Sequence, residues 1–283
     1  MNPEPNQETA AEPREWKRED FKSPPVKSRH FLIQLDISKQ DFEQKINSLL
    51  DAIQKQGHFD NRGMKAQWDF RLELAGKVPK PKVLLTHIPM VTRSAAGKKP
   101  KTVVELLPPI GDNLAQLRIE QESEGEEASS YEDLKEEIHL WLPQVMKYFG
   151  LIRVGGFLLE YRNMIQRDRY PIFWNGGQTL QLGRLLWLFQ NNPGPGNFVT
   201  PLSVEFNTAI PHPSVGSIRF HMSTIQQSDN EFGLQVMLAY NSLALIEKRN
   251  QNNLFGELES AHDLLFENFV RQFTVSALEA FTQ

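Results

Sequence analysis

Arg162, Asn163, Arg167, Asp168 and Arg169 crowd into one short stretch of the chain. Guanidinium forks so close together could grip a carboxylate or phosphate in two-pronged fashion. Arg162, Asn163, Arg167 and Arg169 are therefore the candidate partner- or anion-binding residues. A charge run of this kind also arises as the solvated end of a strand, and Asn163 equally suits a side-chain cap on a turn. A second group is purely basic. From Gly76 to Val104 the chain carries Lys77, Lys80, Lys82, Arg93, Lys98, Lys99 and Lys101 with no acid. Lys98, Lys99 and Lys101 are the candidate phosphate contacts of a nucleic-acid surface. Two features oppose that reading. The whole chain is acidic, with a formal net charge of -4, and no aromatic stands among those lysines to stack on a base. The acidic block from Glu120 to Glu137 can offset the lysines instead.

Other chemistries are excluded or unsupported. The chain has no cysteine, so disulfides, thiolate zinc sites and cysteine nucleophiles are out. Its seven histidines, His30, His58, His87, His139, His212, His221 and His262, form no H-x-H or H-E-x-x-H pair, so no metal site is assigned. Gly97-Lys98-Lys99 resembles the end of a phosphate loop, but Thr92 occupies the place of its first glycine. A nucleophile elbow and a dinucleotide-binding glycine pattern are both missing. No catalytic residue and no cofactor are expected.

The elements that must position these residues follow from hydrophobic period. Leu202 to Ile210, Ile218 to Met222 and Phe232 to Tyr240 alternate apolar and polar, as strands with one buried face do. Turn residues separate them, which predicts an antiparallel meander. A helix from about Glu257 should lie across it, with Leu258, Ala261, Leu265, Phe269 and Phe273 on one face. Earlier, Phe31 to Ile37 predicts a strand, and Ser38 with Asp41 caps a helix that ends near Gly57. Strands are expected over Trp68 to Leu74, Val83 to Val91, Thr102 to Leu107 and Leu114 to Ile119. Ser130 with Asp133 opens a second helix, which Pro143 should kink or split and Gly150 should stop. A long strand from Leu151 to Ile165 and a short helix over Leu180 to Phe189 complete the reading. Strand, helix, strands, helix occurs twice in succession. The expected fold is α+β, antiparallel sheets with packed helices in two related halves. The expected divisions are a disordered tail over 1–28, an N-terminal half over 29–150 and a C-terminal half over 151–283. Trp16 and Phe21 could make that tail a partner-binding arm.

If the last helix runs on to Phe281, its apolar side chains span roughly 200° of its circumference, taking about 100° per residue. Leu264, Val275 and Leu278 fall outside even that stripe and are the candidate interface residues of a homodimer or partner groove. Cover from the chain's own N-terminal half would explain them equally well.

Leu159-Glu160-Tyr161-Arg162-Asn163-Met164-Ile165 resembles the R-Y-x-N-R-I strand of an uncharacterised, sporadically distributed bacterial protein family. Tyr161, Asn163 and Ile165 match that pattern, and Met164 stands where the family has arginine. Pro24-Pro25-Val26 is similar to the family's P-P-I before its first strand. Leu258-Glu259-Ser260-Ala261-His262-Asp263, followed by Phe266 and Phe269, is similar to its closing A-H-D helix. The resemblance covers most of the chain from residue 24. It implies kinship of fold and no activity.

The expected function is a non-enzymatic binding or regulatory component of a larger bacterial assembly, with a protein partner or a second copy of the chain. The alternatives are a nucleic-acid-binding component and an enzyme with a site of dispersed polar residues. The N-terminus shows no secretion signal and no apolar run is long enough to span a bilayer. The expected location is cytoplasmic, away from the membrane.

Overall fold

A computed structural model describes residues 15–21, 25–55, 59–75, 78–94, 100–110, 114–123, 130–175, 179–187, 197–199, 206–212, 216–228, 231–242 and 250–282. The fold is α+β. Its main sheet has nine strands, and every pairing in it is antiparallel. In chain order these are β1 (Val26–Leu35), β2 (Asn61–Ala75), β3 (Val78–Arg93), β4 (Lys101–Leu107), β5 (Ala115–Glu122), β6 (Phe157–Gln166), β10 (Phe206–His212), β11 (Gly216–Ser228) and β12 (Glu231–Asn241). A small sheet of β7 (Trp174–Asn175), β8 (Thr179–Gln181) and β9 (Asn197–Val199) lies in the connection after β6. Among the described residues the α-helices are α1 (Lys39–Lys55), α2 (Tyr131–Phe149), the single turn α3 (Leu182–Leu185), α4 (Gln251–Gln272) and α5 (Val275–Phe281).

The order across the main sheet is β10-β11-β12-β6-β1-β5-β4-β3-β2. Strands up to β5 fill one side of the β1–β6 joint and later strands fill the other. On each side the last strand made returns to lie beside the first. Phe31 pairs with Leu159 and with Ile119, and Ile33 with Phe157 and Leu117. All six are fully buried. They share one pleat face, and the helices cover it. Leu134, Ile138, Trp141 and Val145 of α2 and Leu254, Leu258, Ala261 and Leu265 of α4 belong to the same core. The predicted C-terminal meander is present over Phe206–His212, Gly216–Ser228 and Glu231–Asn241, residues 202–205 of its first strand lying outside the described residues, and its covering helix is present.

Local chemistry fixes the helix ends. The Ser38 hydroxyl accepts the Asp41 N–H at 3.0 Å, as expected. Ser130 and Asp133 form a reciprocal capping box, and Gly150 closes α2 at φ 69°. There the Leu151 N–H donates to the Met146 carbonyl at 2.7 Å, the longer bond of a Schellman closure. Leu151 is thus engaged in ending a helix, and β6 begins only at Phe157 rather than at Leu151. Gly155 then passes so close to β1 that a Cβ on it would sit 2.9 Å from that of Gln34.

Three further expectations change. Of the kink or split expected at Pro143, the split does not occur, and α2 runs on from Tyr131 to Phe149. The lost backbone bond, about 3 kcal/mol in a free helix, is offset by the buried face that flanks it. Residues 1–28 are not wholly a disordered tail. Val26 to Ser28 belong to β1, Arg18–Asp20 form a 3-10 turn, and Trp16 and Phe21 pack on the core. Phe21 meets Phe266 and Phe269 edge-on at 5.8 and 5.9 Å.

The last helix is two helices. It starts at Gln251, not Glu257, because the Asn250 side chain caps it by accepting the Asn253 N–H at 2.9 Å. It stops at Gln272. The Thr274 N–H then donates to the Leu185 carbonyl at 2.9 Å, and the Thr274 hydroxyl caps α5. One wheel therefore cannot be drawn through Phe281. Leu278 is 2 % exposed and Phe281 fully buried, in the chain's own core. Leu264 is half-buried against that core. Of the three interface candidates only Val275, at 62 %, faces outward. Leu278→Glu should abolish cooperative thermal unfolding followed by circular dichroism, since it places an unpaired charge in the core. Val275→Glu should leave the melting temperature within about 2 °C, as surface substitutions do.

Candidate functional site

The covered face of the sheet does not fill completely. Between β1, β6, β12, the start of α2 and the middle of α4 lies a cavity of about 310 Å³. That volume falls at the small end of the roughly 300–1,000 Å³ typical of ligand sites. Leu238, Leu265, Phe266 and Phe269 form its apolar wall, with Val26 and Phe21 from the N-terminal segment. Its polar wall is Arg29 on β1, Tyr161 and Asn163 on β6, Ser130 and Tyr131 at the start of α2, and His262 on α4.

Sequence spacing explains why these groups meet. Tyr161 and Asn163 are two apart on a strand and so share its helix-facing side. Arg29 pairs with Tyr161 across the β1–β6 ladder and faces the same way. α2 and α4 touch along a seam of matched pairs. Tyr131 stacks on His262 with ring centroids 3.6 Å apart, and His139 stacks on Phe255 at 3.9 Å. Between them the Lys135 ammonium lies 2.7 Å from Glu259. The cavity opens at the Tyr131 end of that seam.

The polar groups are held by specific bonds. Tyr161 Oη and His262 Nδ1 are 2.7 Å apart. The Asn163 amide donates to the Val236 carbonyl at 3.1 Å, and its Oδ1 accepts no hydrogen bond. The Arg29 guanidinium carbon lies 5.7 Å from the Tyr161 ring centroid, a cation–π distance. At the rim, Arg18 pairs with Asp263 and lies over the Phe266 ring at 5.5 Å.

Burial sets the charge states. Desolvation, with help from Arg18, Arg29 and Lys135, lowers the His262 pKa to about 3, so the ring is neutral at pH 7. Desolvation also pushes the Tyr161 and Tyr131 phenols up, and both stay protonated. Arg29 is lowered by burial to about 10 and remains a cation. Arg29 is thus a buried cation beside neutral hydrogen-bonding groups, with the Asp133 carboxylate near enough to act on it.

The residues singled out by sequence are scattered. Adjacent strand positions face opposite ways, so Arg162 points to the other side of the sheet from Asn163. There Arg162 pairs with Glu160 at 2.6 Å, in a charged strip with the Arg118–Glu105 and Lys65–Glu105 pairs, each 2.9 Å. His30 is in the same strip. Burial, with Arg162 and Arg118 nearby, lowers its pKa to about 3. Its 3.5 Å approach to Glu120 is therefore no ion pair at neutral pH. Arg167 lies 3.3 Å from Asp168, and Arg169 over the Tyr170 ring at 5.4 Å. Only Asn163 of the four candidates lines the cavity. Lys98 and Lys99 lie outside the described residues, and Lys101 is 3.9 Å from Glu122. No cluster of three or more metal-ligating side chains occurs among the described residues. A wider hollow of about 700 Å³ between α1 and the β2–β3 hairpin has Lys39, Glu43 and His87 as its titratable groups, all exposed.

Sequence reasoning missed Arg29, Tyr131, Tyr161 and His262. The available signal lay in the motif segments. Val26, Tyr161, Asn163 and His262 come from the three stretches that carry the family resemblance, and all line this one cavity. Among the described residues, no helix is long and apolar enough to cross a membrane.

No family model matches the chain, and no curated protein matches it. Among solved structures, the crystal structure of the di-domain ARO/CYC BexL from the BE-7585A biosynthetic pathway is similar at 7 % identity. The match covers 91 % of this chain and 97 % of that one, with a TM-score of 0.19. A likeness so shallow carries no argument about fold or activity.

The two depressed histidines dictate a pH response. Each is neutral when folded down to about pH 3 but takes up a proton near pH 6.5 when unfolded. The unfolded state binds more protons in that window, so stability falls as pH drops from about 6.5 toward 3. His262→Gln can keep a hydrogen bond to Tyr161 and removes one of the two groups. Its urea midpoint should fall less steeply between pH 7 and 4.5 than that of wild type. Equal slopes would mean that His262 is not buried as described.

Proposed function

We propose that the protein is a non-enzymatic binding component of a larger bacterial assembly, located in the cytoplasm, and that the cavity beside Tyr161 and His262 is its small-ligand site. The observation that carries this reading is the convergence of the three motif segments on one largely apolar cavity with a few fixed polar groups, the usual make-up of a ligand site.

The charge states favour binding over catalysis. A general acid or base works best with a pKa near the working pH. Here the histidine is shifted far down and both tyrosines up, so none exchanges protons readily at neutrality.

A partner surface has its own support. Ile172, Trp187 and Val275 are 47, 61 and 62 % exposed. Hydrogen bonds draw their neighbourhoods together: the Arg184 guanidinium donates to the Ile172 carbonyl, the backbone of Leu186 bridges to Phe273, and the Thr274 N–H donates to the Leu185 carbonyl. Exposed apolar groups gathered in this way mark contact surfaces.

Fluorescence titration of the full chain with 1-anilinonaphthalene-8-sulfonate tests the cavity. The reading expects saturable binding at one site per chain. Leu238→Phe, which narrows the cavity, should weaken binding by at least about tenfold, about 1.4 kcal/mol. Absence of saturable binding, or an unchanged affinity in a folded Leu238→Phe variant, would overturn it.

A further inference from the structure

We propose that two copies of the chain join edge to edge through β2, so that their β2–β3 hairpins form a single wider ribbon and the two main sheets become continuous.

The hairpin outruns the sheet it belongs to. β2 and β3 pair from Asn61 opposite Thr92 to Ala75 opposite Val78, whereas β4 pairs with β3 only over Met90–Arg93. Among the described residues Val78–Pro89 therefore has β2 as its one strand partner, over roughly 40 Å at the usual rise. The base of the hairpin is fastened. Arg62 pairs with Asp51 of α1 and donates to Asn47 at 2.8 Å, and Lys65 pairs with Glu105 at 2.9 Å. A two-stranded ribbon projecting from such a base is marginal in water, and a third strand adds much of what it lacks.

Its sequence carries an apolar face. Met64, Ala66, Trp68, Phe70, Leu72 and Leu74 take alternate positions of β2 and so share one pleat face. Pro89, opposite Met64, is two residues from Val91, which is fully buried in the same core as α1 and α2. The face therefore begins under the helices and runs outward along the ribbon. Beside the hollow of about 700 Å³, Met64 and Leu85 are already 66 and 43 % exposed. Large apolar groups left open in this way mark a contact surface.

The two edges of the ribbon differ. Pro79, Pro81 and Pro89 occupy positions of one parity on β3. A ladder with β2 tolerates all three only if the backbone at those positions turns outward. That edge lacks N–H groups at three places and is blunted against pairing. The residues opposite them on β2 are Leu74, Leu72 and Met64. Facing residues of an antiparallel ladder share one orientation, so these turn their backbone outward too. β2 is the last strand of the sheet and has no proline from Asn61 to Ala75, so this edge keeps its N–H groups.

A second β2 fits this edge. Antiparallel pairing about a twofold axis at Phe70 sets Asp69 opposite Arg71 twice and Trp68 opposite Leu72 twice, with no like charges facing. Moving the axis by one residue sets Asp69 against Asp69, or Arg71 against Arg71. The charges thus select both the partner and the register. The apolar face continues across both ribbons, and the twofold axis closes the pairing at two chains.

Light scattering on the full chain tests the pairing. At about 100 μM, far above the Kd of a stable interface, wild type should be a dimer. Phe70→Pro removes the central outward N–H and leaves the β2–β3 ladder intact. It should give monomers with an unchanged circular-dichroism spectrum. Asp69→Arg opposes like charges at both crossings and should weaken the dimer at least about tenfold. Adding Arg71→Asp to it should restore the wild-type affinity. A monomeric wild type, a species larger than a dimer, or a dimer that persists in folded Phe70→Pro would overturn the proposal. Should Phe70→Pro not fold, the charge reversal decides, and an Asp69→Arg dimer that is unweakened, or that Arg71→Asp does not rescue, would overturn it equally.

Discussion

The antiparallel pairing of β1 with β6 is the contact on which the rest depends. Without it the strands before and after Gly150 would form two separate sheets, each with a long unpaired edge. With it they form a single nine-stranded sheet. The backbone ladder itself contributes modestly per bond in net terms. Its larger effect is geometric. It sets Phe31 against Leu159 and Ile33 against Phe157, making the centre of the apolar floor on which α2 and α4 settle. The same register sets Arg29 opposite Tyr161. A shift by one residue would turn Arg29 to the other side of the sheet.

The seam between α2 and α4 follows from that floor. Two amphipathic helices covering one continuous sheet lie side by side, and their facing residues pair: Tyr131 with His262, Lys135 with Glu259, His139 with Phe255. Where the seam ends, the apolar cover gives out and Arg29, Asn163, Tyr161 and His262 are left around a cavity. Burying these groups is unfavourable unless each is satisfied. The Tyr161–His262 bond and the cation–π contact of Arg29 satisfy part of that demand, and the bare Asn163 Oδ1 leaves part open. A set of groups that destabilises the empty fold in this way is what a binding site looks like from the standpoint of stability.

Much of the fold was legible from period and caps. The alternation over Ile218 to Met222 and Phe232 to Tyr240 marked true strands. Ser38, Ser130 and Gly150 marked true helix ends, because each works through bonds made within a few residues. The misses were made by contacts distant in sequence. Thr274 divides the final helix by bonding to Arg184 and Leu185, which no wheel reveals. Trp16 and Phe21 read as tail composition, yet Phe21 meeting Phe266 and Phe269, with Trp16 against Phe21, is enough to seat a short segment. The site was harder still. Arg162 and Asn163 are neighbours in sequence and on opposite faces in space. Tyr161 and His262 are far apart in sequence and in hydrogen-bond contact. Local crowding of charge picked residues that the fold scatters, whereas Tyr161, Asn163 and His262 of the motif segments line one cavity.

Native-state hydrogen exchange tests the central claim, that the β1–β6 joint makes one cooperative unit around the cavity. The amides of Phe31, Ile33, Leu159 and Tyr161 should belong to the slowest class and open only with the whole molecule, as core strands do. Those of Leu117 on β5 and Leu238 on β12 should share the same opening free energy and the same denaturant dependence. If β5 and β12 instead open at separate free energies while β1 and β6 exchange early, the halves are independent units and the account of the cavity fails.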